Sequence, residues 1–167
     1  MTDRAPNTPA YLAALVANGC LHVPICRELV ADFEPPLSCY AKVARGPYSY
    51  LLESANQGGE KWSRFSIIGL PARRILRISG DRLTLTDNGS LTRDEVIEDP
   101  LAEIAKLQEA FSYPSCPGMP NYTGGLVGYF GYDTVRYVEP KIKDSAPPYE
   151  LGSADIVLMI SDDVIVF

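Results

Sequence analysis

The sequence is poor in the residues that hold metal ions. Its 167 residues include one histidine, His22, and four cysteines, Cys20, Cys26, Cys39 and Cys116. A single histidine cannot supply a typical metal site alone, and the cysteine spacings match neither a CxxC pair nor a zinc-binding pattern. The sequence therefore predicts partly buried thiols and gives no support for a zinc site.

Long apolar runs and excess positive charge are also absent. No run approaches the roughly 20 residues that a membrane helix requires, and the first nine residues lack the layout of a signal peptide. The 15 Lys and Arg residues are outnumbered by 21 Asp and Glu residues, which gives a net charge of −6. An acidic surface repels phosphate backbones. We therefore expect a cytoplasmic protein that binds neither a membrane nor a nucleic acid.

The residues that are present fit one α+β domain. With 46% hydrophobic residues, a chain of this length can bury one core. Thr8 is a candidate N-cap for a helix that begins with Pro9, and Asp99 is its equivalent for a helix that begins with Pro100. Apolar residues at helical spacing predict another helix over residues 37–44 and a short one near residues 135–137.

Strand signals dominate the rest of the chain. Turn signals at residues 80–81 and 88–89 separate alternating segments, which predicts an antiparallel meander with one face in water. Two apolar segments flank the polar residues 161–163 and predict a hairpin. The expected fold class is α+β, an antiparallel β-sheet, either single or sandwich-like, flanked by two or three helices. The predicted strands cover residues 22–29, 48–54, 64–70, 73–79, 82–86, a short stretch around 91, 155–160 and 164–167.

The last predicted strand runs to Phe167. Natural domains rarely end within an apolar strand, because this leaves an unprotected edge. We therefore expect these 167 residues to be part of a longer protein.

Residues 124–133 are the most glycine-dense part of the chain, Gly-Gly-Leu-Val-Gly-Tyr-Phe-Gly-Tyr-Asp. A phosphate-binding loop would carry Gly-Lys-Ser/Thr, which this stretch lacks, and apolar side chains stand between its glycines. Two interpretations remain. Either the glycines let an aromatic strand pass close to another backbone, or the stretch is the wall of a site or a partner surface.

No catalytic constellation emerges from the sequence. His22 has no recognisable nucleophile partner, and the adjacent carboxylates at residues 98–99 and 162–163 are better explained as cap and turn residues. Arg73, Arg74 and Arg77 predict a basic stripe on a solvated sheet face. We therefore assign no catalytic residue and no metal ligand.

The most informative segment is Leu-Leu-Glu-Ser at residues 51–54, followed by Lys-Trp-Ser-Arg-Phe-Ser at residues 61–66. A carboxylate can pair with an α-ammonium group, and a hydroxyl and an arginine can hold an α-carboxylate. Leucine and aromatic side chains can enclose an apolar side chain. These are the parts of a site for a small amino acid, although Glu-Ser at the end of a strand is also common in a simple turn.

In their order along the chain, several blocks resemble the amino-terminal region of the anthranilate synthase large subunit, component I. The blocks are Pro-Leu-Ser at 36–38, Tyr-Ser-Tyr-Leu-Leu-Glu-Ser at 48–54, Arg-Phe-Ser-Ile-Ile-Gly at 64–69, the glycine-rich block at 124–133, and residues 155–167. The resemblance implies that residues 1–167 are the amino-terminal domain of a larger chorismate-utilising enzyme fold. The carboxy-terminal chorismate-binding portion would then be absent from this sequence.

The resemblance also implies an activity and its partners. Enzymes of this family are lyases of tryptophan biosynthesis that make anthranilate and pyruvate from chorismate and ammonia or glutamine. They use Mg²⁺, take ammonia from a glutamine amidotransferase subunit, component II, and are feedback-inhibited by L-tryptophan. Since the family's chorismate and Mg²⁺ residues lie in the later portion, we expect the parent protein to be an enzyme and the 167 residues alone to be inactive.

The resemblance implies that this sequence carries part of the family's tryptophan-binding site. Two alternatives stay open: aminodeoxychorismate synthase component I of folate synthesis, which has a related pocket, and a non-catalytic amino-acid-binding module. The intact Leu-Leu-Glu-Ser segment favours anthranilate synthase over the folate enzyme. The implied tryptophan-binding residues are Leu52, Glu53 and Ser54, with Arg64, Phe65 and Ser66 on the neighbouring strand.

Overall fold

The computed structural model describes residues 8–17, 22–53, 65–111, 119–120, 122–142 and 152–167. Short 3₁₀ turns lie at Tyr132–Thr134 and Pro140–Ile142. The helices and strands are α1 (Pro9–Ala17), α2 (Pro36–Val43), β1 (Tyr50–Glu53), β2 (Ser66–Gly69), β3 (Arg74–Ser79), β4 (Arg82–Asp87), β5 (Ser90–Val96), α3 (Pro100–Ala110), β6 (Gly125–Phe130), α4 (Val135–Val138), β7 (Ile156–Ser161) and β8 (Val164–Val166).

The strands form two sheets, and the α+β class predicted from the sequence is confirmed. One sheet has the order β1-β2-β8 and the other has the order β5-β4-β3-β7-β6. The chain divides into two compact units. The first unit, Met1–Pro71, Ala110–Gly125 and Asp162–Phe167, contains the three-stranded sheet. The second, Ala72–Glu109 and Leu126–Ser161, contains most of the five-stranded sheet. The assignment of residues 1–167 to one family domain stays a prediction.

The three-stranded sheet of the first unit is antiparallel throughout, with β2 at its centre. Leu51 of β1 is opposite Ile68, and Ile68 is opposite Ile165 of β8. Opposite residues of paired strands lie on the same face, so these three side chains form one apolar row. Ile68 is fully buried, and α2 packs against β1 and β2.

The core of the second unit lies between its sheet and α3. Ile78 of β3 is opposite Leu83 of β4 and Ile156 of β7, and all three are buried. Ile104 of α3 and Leu158 of β7 join the same cluster. The antiparallel arrangement of β3, β4 and β5 confirms the meander predicted for this part of the chain.

Two helices begin where their predicted N-caps place them. The Tyr11 N–H donates to Thr8 Oγ1 at 3.3 Å before α1. Asp99 Oδ1 accepts from the N–H groups of Leu101 and Ala102, each at 3.0 Å, before α3. These bonds satisfy amides that have no partner within the helix.

Several predictions for strands are wrong. Residues 22–29 form no strand, because Pro24 lacks an N–H group and Ile25 and Leu29 are largely exposed rather than packed. The predicted hairpin does not exist, since β7 pairs with β3 whereas β8 pairs with β2. The segment containing β2 belongs to the three-stranded sheet and not to the meander.

A smaller correction concerns the arginines of β3. Arg74 and Arg77 lie on opposite faces of β3, because their separation of three residues is odd, so the basic residues do not form one stripe.

The glycine-rich block contains β6, and its packing confirms the first interpretation of its glycines. A Cβ atom at Gly128 would lie 1.9 Å from the carbonyl oxygen of Val157, and one at Gly131 would lie 3.0 Å from that of Asp155. Only a residue without a side chain permits the approach at Gly128.

Candidate functional site

The predicted amino-acid site lies at the end of the ladder between β1 and β2. Glu53, the last residue of β1, is opposite Ser66, the first residue of β2. The Ser66 N–H donates to the Phe167 carbonyl at 3.2 Å, and the Ser66 carbonyl accepts from the Phe167 N–H at 2.9 Å. Both backbone groups of Ser66 therefore point towards Phe167 and away from β1. Glu53 and Ser66 form the closer type of antiparallel pair, in which Cα atoms are about 4.5 Å apart.

Strand alternation divides the described site residues between two faces of the sheet. Glu53 and Ser66 share the face of Leu51, whereas Leu52 and its opposite residue Ile67 lie on the other face. The structure thus brings Glu53 and Ser66 together and does not place Leu52 beside them.

The structure describes two of the other predicted site residues and leaves two undescribed. Phe65 directly precedes β2 and is 52% exposed, close to the 51% of Leu52, so neither belongs to a packed core. Ser54 and Arg64 lie outside the described residues, and their roles stay predictions.

The Glu53–Ser66 pair has the chemistry to hold a small cation. A carboxylate accepts through two oxygens, and a hydroxyl both donates and accepts. An ammonium group carries three N–H donors and can bond to both side chains at once. Glu53 is exposed and Ser66 is half-buried, so the pair is open to a ligand from solvent.

The Leu52 face of the sheet carries a tyrosine pair that sequence reasoning missed. Tyr50 is opposite Gly69, and its ring lies so close that a Cβ atom at Gly69 would be 2.0 Å from Tyr50 Cε1. The Tyr50 and Tyr122 hydroxyls are hydrogen-bonded at 2.7 Å. The available signals were an aromatic residue at the start of a strand and a tyrosine two residues before Gly124. This pair fixes the strand next to the site.

Comparison with known proteins shows similarity over nearly the whole chain. Anthranilate synthase component 1 of Pseudomonas putida is 48% identical over 153 residues, and that of Pseudomonas aeruginosa is equally similar over the same length. The Aquifex aeolicus protein of the same name is 37% identical over 145 residues. The two Pseudomonas matches cover 92% of this chain and the Aquifex match covers 86%.

The chain resembles anthranilate synthase component 1. The resemblance predicted from the ordered sequence blocks is therefore confirmed. The chain spans about 31% of the length of the two Pseudomonas component 1 proteins and 28% of the Aquifex one.

A comparison with solved structures gives a weaker match, and a comparison with family models gives none. A crystal structure of anthranilate synthase component I from Streptococcus pneumoniae matches with a TM-score of 0.47 and 22% identity, covering 86% of this chain and 29% of that one. No family model matches the chain.

The component 1 resemblance implies an Mg²⁺ site, and the described residues are the part of the chain whose side chains can be compared with it. No group of three His, Cys, Asp or Glu side chains in that part of the chain could hold a metal ion. The single histidine, His22, packs its ring against Phe111 with 5.0 Å between the ring centroids. Cys26 and Cys39 are half-buried, as predicted, and Cys20 and Cys116 lie outside the described residues.

A charged cleft of about 370 Å³ lies in the second unit, between the end of β5 and the start of α3. Glu103 accepts from Lys106 Nζ at 2.6 Å and from Arg93 Nη2 at 2.7 Å. The bond from Lys106, and next that from Arg93, lowers the pKa of the Glu103 carboxyl. Since both basic side chains of the cleft are ion-paired with Glu103, the cleft is explained as a surface ion-pair network.

Among the described residues, no helix combines the length and the apolar composition that crossing a bilayer requires.

Proposed function

We propose that this chain is the amino-terminal part of an anthranilate synthase component 1 and that it contributes to a site for L-tryptophan as feedback inhibitor. The observation that carries the proposal is the 48% identity to component 1 over 92% of the chain. The share of 31% of the relative's length supports its assignment as one part of a longer protein. The order of the sequence blocks, with Leu-Leu-Glu-Ser near the start, supports the amino-terminal position.

The activity belongs to the proposed longer protein, a cytoplasmic lyase that converts chorismate and ammonia to anthranilate and pyruvate. A glutamine amidotransferase subunit supplies the ammonia, and Mg²⁺ is bound by residues of the part that this chain does not span. We assign no catalytic residue to these 167 residues, and the proposal is that they are inactive alone. Their contribution is regulatory.

The proposed tryptophan contact begins with the Glu53–Ser66 pair. The Glu53 carboxylate binds the α-ammonium group, and the Ser66 hydroxyl accepts a second N–H from it. Their juxtaposition across the β1–β2 ladder supports this role. Both bonds involve the charged ammonium group and contribute about 1.5–3 kcal/mol each, and Glu53 provides the larger share because it alone carries an opposite charge.

The remaining proposed contacts complete the tryptophan site at the end of the β1–β2 ladder. Arg64 binds the α-carboxylate, where a guanidinium offers two parallel donors, and Ser54 assists it. Leu52 and Phe65 offer half-exposed apolar surface to the indole ring. Because Leu52 lies on the opposite face from Glu53, the ligand would contact the open end of the ladder rather than one face of it.

The direct test uses the full-length protein that contains this chain. Anthranilate is fluorescent, so its formation from chorismate with Mg²⁺ and ammonium salts can be followed while tryptophan is titrated. The expected results are anthranilate as the product and complete inhibition by tryptophan. The alternatives are decided by the same assay, since aminodeoxychorismate as product would identify the folate enzyme. Tryptophan binding without any product would identify a non-catalytic module.

A further inference from the structure

The five-stranded sheet of the second unit has two edge strands of opposite character. β5 and β6 end the order β5-β4-β3-β7-β6 among the described residues. Exposed sheet edges pair readily with other strands, and natural proteins protect them with charges, prolines or bulges. The two edge strands can therefore be compared by the charges, prolines and bulges that they carry.

The β5 edge is protected. Arg93, Asp94 and Glu95 lie consecutively on it, and its pairing with β4 is irregular at Leu85 and Thr86. Asp94 is held by Arg82 through bonds of 2.7 and 2.6 Å, and Arg93 is bonded to Glu103 at 2.7 Å. A strand that added to β5 would have to displace or desolvate these charges.

The β6 edge is unprotected. Its sequence, Gly-Leu-Val-Gly-Tyr-Phe, contains neither a charge nor a proline. Tyr129 and Phe130 point to opposite faces of the sheet, yet both are exposed, with Phe130 at 51%. Both faces at this end of β6 are therefore only partly covered. Tyr132, two residues after the end of the strand, is 93% exposed and extends the aromatic surface.

The inner side of β6 is firmly held, so its outer side is a preformed docking edge. Gly128 sits against the Val157 carbonyl, and the Tyr129 hydroxyl donates to the Ala154 carbonyl at 3.0 Å. The Gly131 N–H donates to the Asp155 carbonyl at 2.7 Å. These contacts fix the backbone whose outward N–H and C=O groups a further strand would bond.

We propose that the outer edge of β6 binds an uncharged apolar strand from the remainder of the longer protein, in an intramolecular strand addition. This inference rests on the proposed function, because it requires that longer protein. The absence of charge on β6 favours an apolar occupant, since a charged strand would bury its charges against Tyr129 and Phe130 without compensation. Strand addition supplies main-chain hydrogen bonds, and alternate side chains fill the flanking surface.

The size of the unmatched portion favours an intramolecular partner over a second protein. About two-thirds of each component 1 relative has no counterpart in this chain, which is enough for many strands. A tethered segment also has a local concentration in the millimolar range or above, which a separate subunit does not match.

The test is hydrogen exchange of the full-length protein, measured at two protein concentrations with and without the amidotransferase subunit. Alternate amides of β6 point away from β7, and we expect them to exchange about 100-fold or more slowly than unpaired amides, independent of concentration and partner. The outward amides of β5 are the control within the same molecule and should exchange fast.

Each other outcome overturns the proposal. Fast exchange at both edges would show that β6 stays open. Protection of β6 that rises with protein concentration would assign the edge to a second copy of the chain. Protection that requires the amidotransferase would assign it to that subunit.

A matched pair of substitutions sharpens the test. Phe130→Lys and Leu91→Lys each place a lysine at an exposed apolar position of an edge strand, with exposures of 51% and 57%. Phe130→Lys should accelerate exchange of the outward β6 amides at least about 10-fold, whereas Leu91→Lys should not. Equal effects would contradict the proposal. If Phe130→Lys does not fold, hydroxyl-radical footprinting of the unsubstituted protein tests whether the β6 edge is covered. The proposal then predicts that Phe130 and Tyr132 are protected and that Leu91 reacts, and reactive Phe130 and Tyr132 would contradict it.

Failure of this inference can be separated from failure of the proposed function. Anthranilate formation and its inhibition by tryptophan are measured on the same preparation. If both are found while β6 exchanges fast, only the docking inference is wrong. If β6 is protected but no anthranilate forms, only the proposed function is wrong.

Discussion

Glu53 and Ser66 face each other as the last pair of the β1–β2 ladder, although twelve residues separate them in sequence. Leu52, the immediate neighbour of Glu53, points to the opposite face of the sheet. The Leu-Leu-Glu-Ser segment is therefore not one cluster of side chains. Its glutamate finds its polar partner across the sheet, and this pairing gives the proposed tryptophan site a specific test.

We predict unequal effects of the two polar residues on tryptophan inhibition of the full-length protein. Glu53→Gln removes a charge-assisted bond and should raise the tryptophan concentration for half-inhibition about 10- to 100-fold. Ser66→Ala removes the bond between the ammonium group and an uncharged hydroxyl, leaves the Glu53 ion pair in place, and should raise it about 2- to 10-fold. The rate without tryptophan should stay unchanged, as measured by anthranilate fluorescence.

The matched control is Glu95→Gln, which changes an exposed glutamate on the edge strand of the other sheet. It should leave inhibition unaltered, because its ion pair with Arg93 is on the surface. Half-inhibition within twofold of the unsubstituted protein for both Glu53→Gln and Ser66→Ala would show that the pair does not bind tryptophan.

Gly128→Ala should destabilise the chain strongly. The new Cβ would lie 1.9 Å from the Val157 carbonyl oxygen, and since both sides of this contact are backbone, β6 must move away from β7. We expect a loss of about 2–4 kcal/mol in the free energy of unfolding, measured with urea. Gly131→Ala is the graded control, because its Cβ would lie 3.0 Å from the Asp155 carbonyl, and it should lose clearly less. Equal losses would refute the close approach at Gly128.

Gly69→Ala should act through the Tyr50 ring. The added methyl group would occupy the position of Tyr50 Cε1 and push the ring away, which breaks the 2.7 Å bond to Tyr122. We expect a loss of about 1–3 kcal/mol in the free energy of unfolding. In a Tyr50→Ala background the same substitution should cost much less, because the clash is gone. A double-mutant cycle measures this coupling, and additive effects would contradict the packing of Tyr50 over Gly69.

Tyr137 should make the chain sensitive to alkaline pH. Its hydroxyl donates to Asp155 Oδ2 at 2.6 Å and lies 3.0 Å from the Gly80 carbonyl, and the Gly80 N–H donates to the same carboxylate oxygen at 2.7 Å. Burial raises the pKa of the Tyr137 phenol, and the hydrogen-bonded Asp155 carboxylate raises it further. The folded state therefore retains a proton that the unfolded state loses above about pH 10.

This difference in protonation decides whether the free energy of unfolding rises or falls with pH. The contribution of Tyr137 to stability is fully present below pH 10 and is lost as the pH rises through the raised pKa. Relative to Tyr137→Phe, the unsubstituted chain should lose up to about 1.4 kcal/mol of unfolding free energy per pH unit above pH 10. Urea unfolding of both chains between pH 8 and 11 measures this difference in unfolding free energy. The other tyrosines are common to both and cancel, and a constant difference would contradict the prediction.

Local signals in the sequence were sufficient for most of the elements. Thr8 and Asp99 cap helices because a side-chain oxygen next to free amides is a short-range arrangement. Asn88 and Gly89 both have positive φ, at 48° and 79°, as an Asn-Gly turn in a hairpin requires. The meander from β3 to β5 followed, since each of its turns lies between strands that pair with each other.

The candidate site could be predicted only in part. The residue types for an amino-acid clamp and the order of the blocks were visible in the sequence, and they led to the component 1 resemblance. The division of Leu52 and Glu53 between two faces follows from the strand predicted over residues 48–54. The pairing of Glu53 with Ser66 was not visible, because it depends on the register between β1 and β2. Tyr122 was missed as well, since its contact with Tyr50 spans 72 positions of the chain.

The sequence by itself determined most of the helices and strands, because caps, turns and periodicity act over a few residues. Only the tertiary structure decided which strands pair. The apolar segments around residues 161–163 have the pattern of a hairpin, yet β7 pairs with β3 and β8 with β2. The physical reason is that burial is not directional. Apolar strands gain stability from any partner that covers them, so proximity along the chain does not by itself decide the pairing.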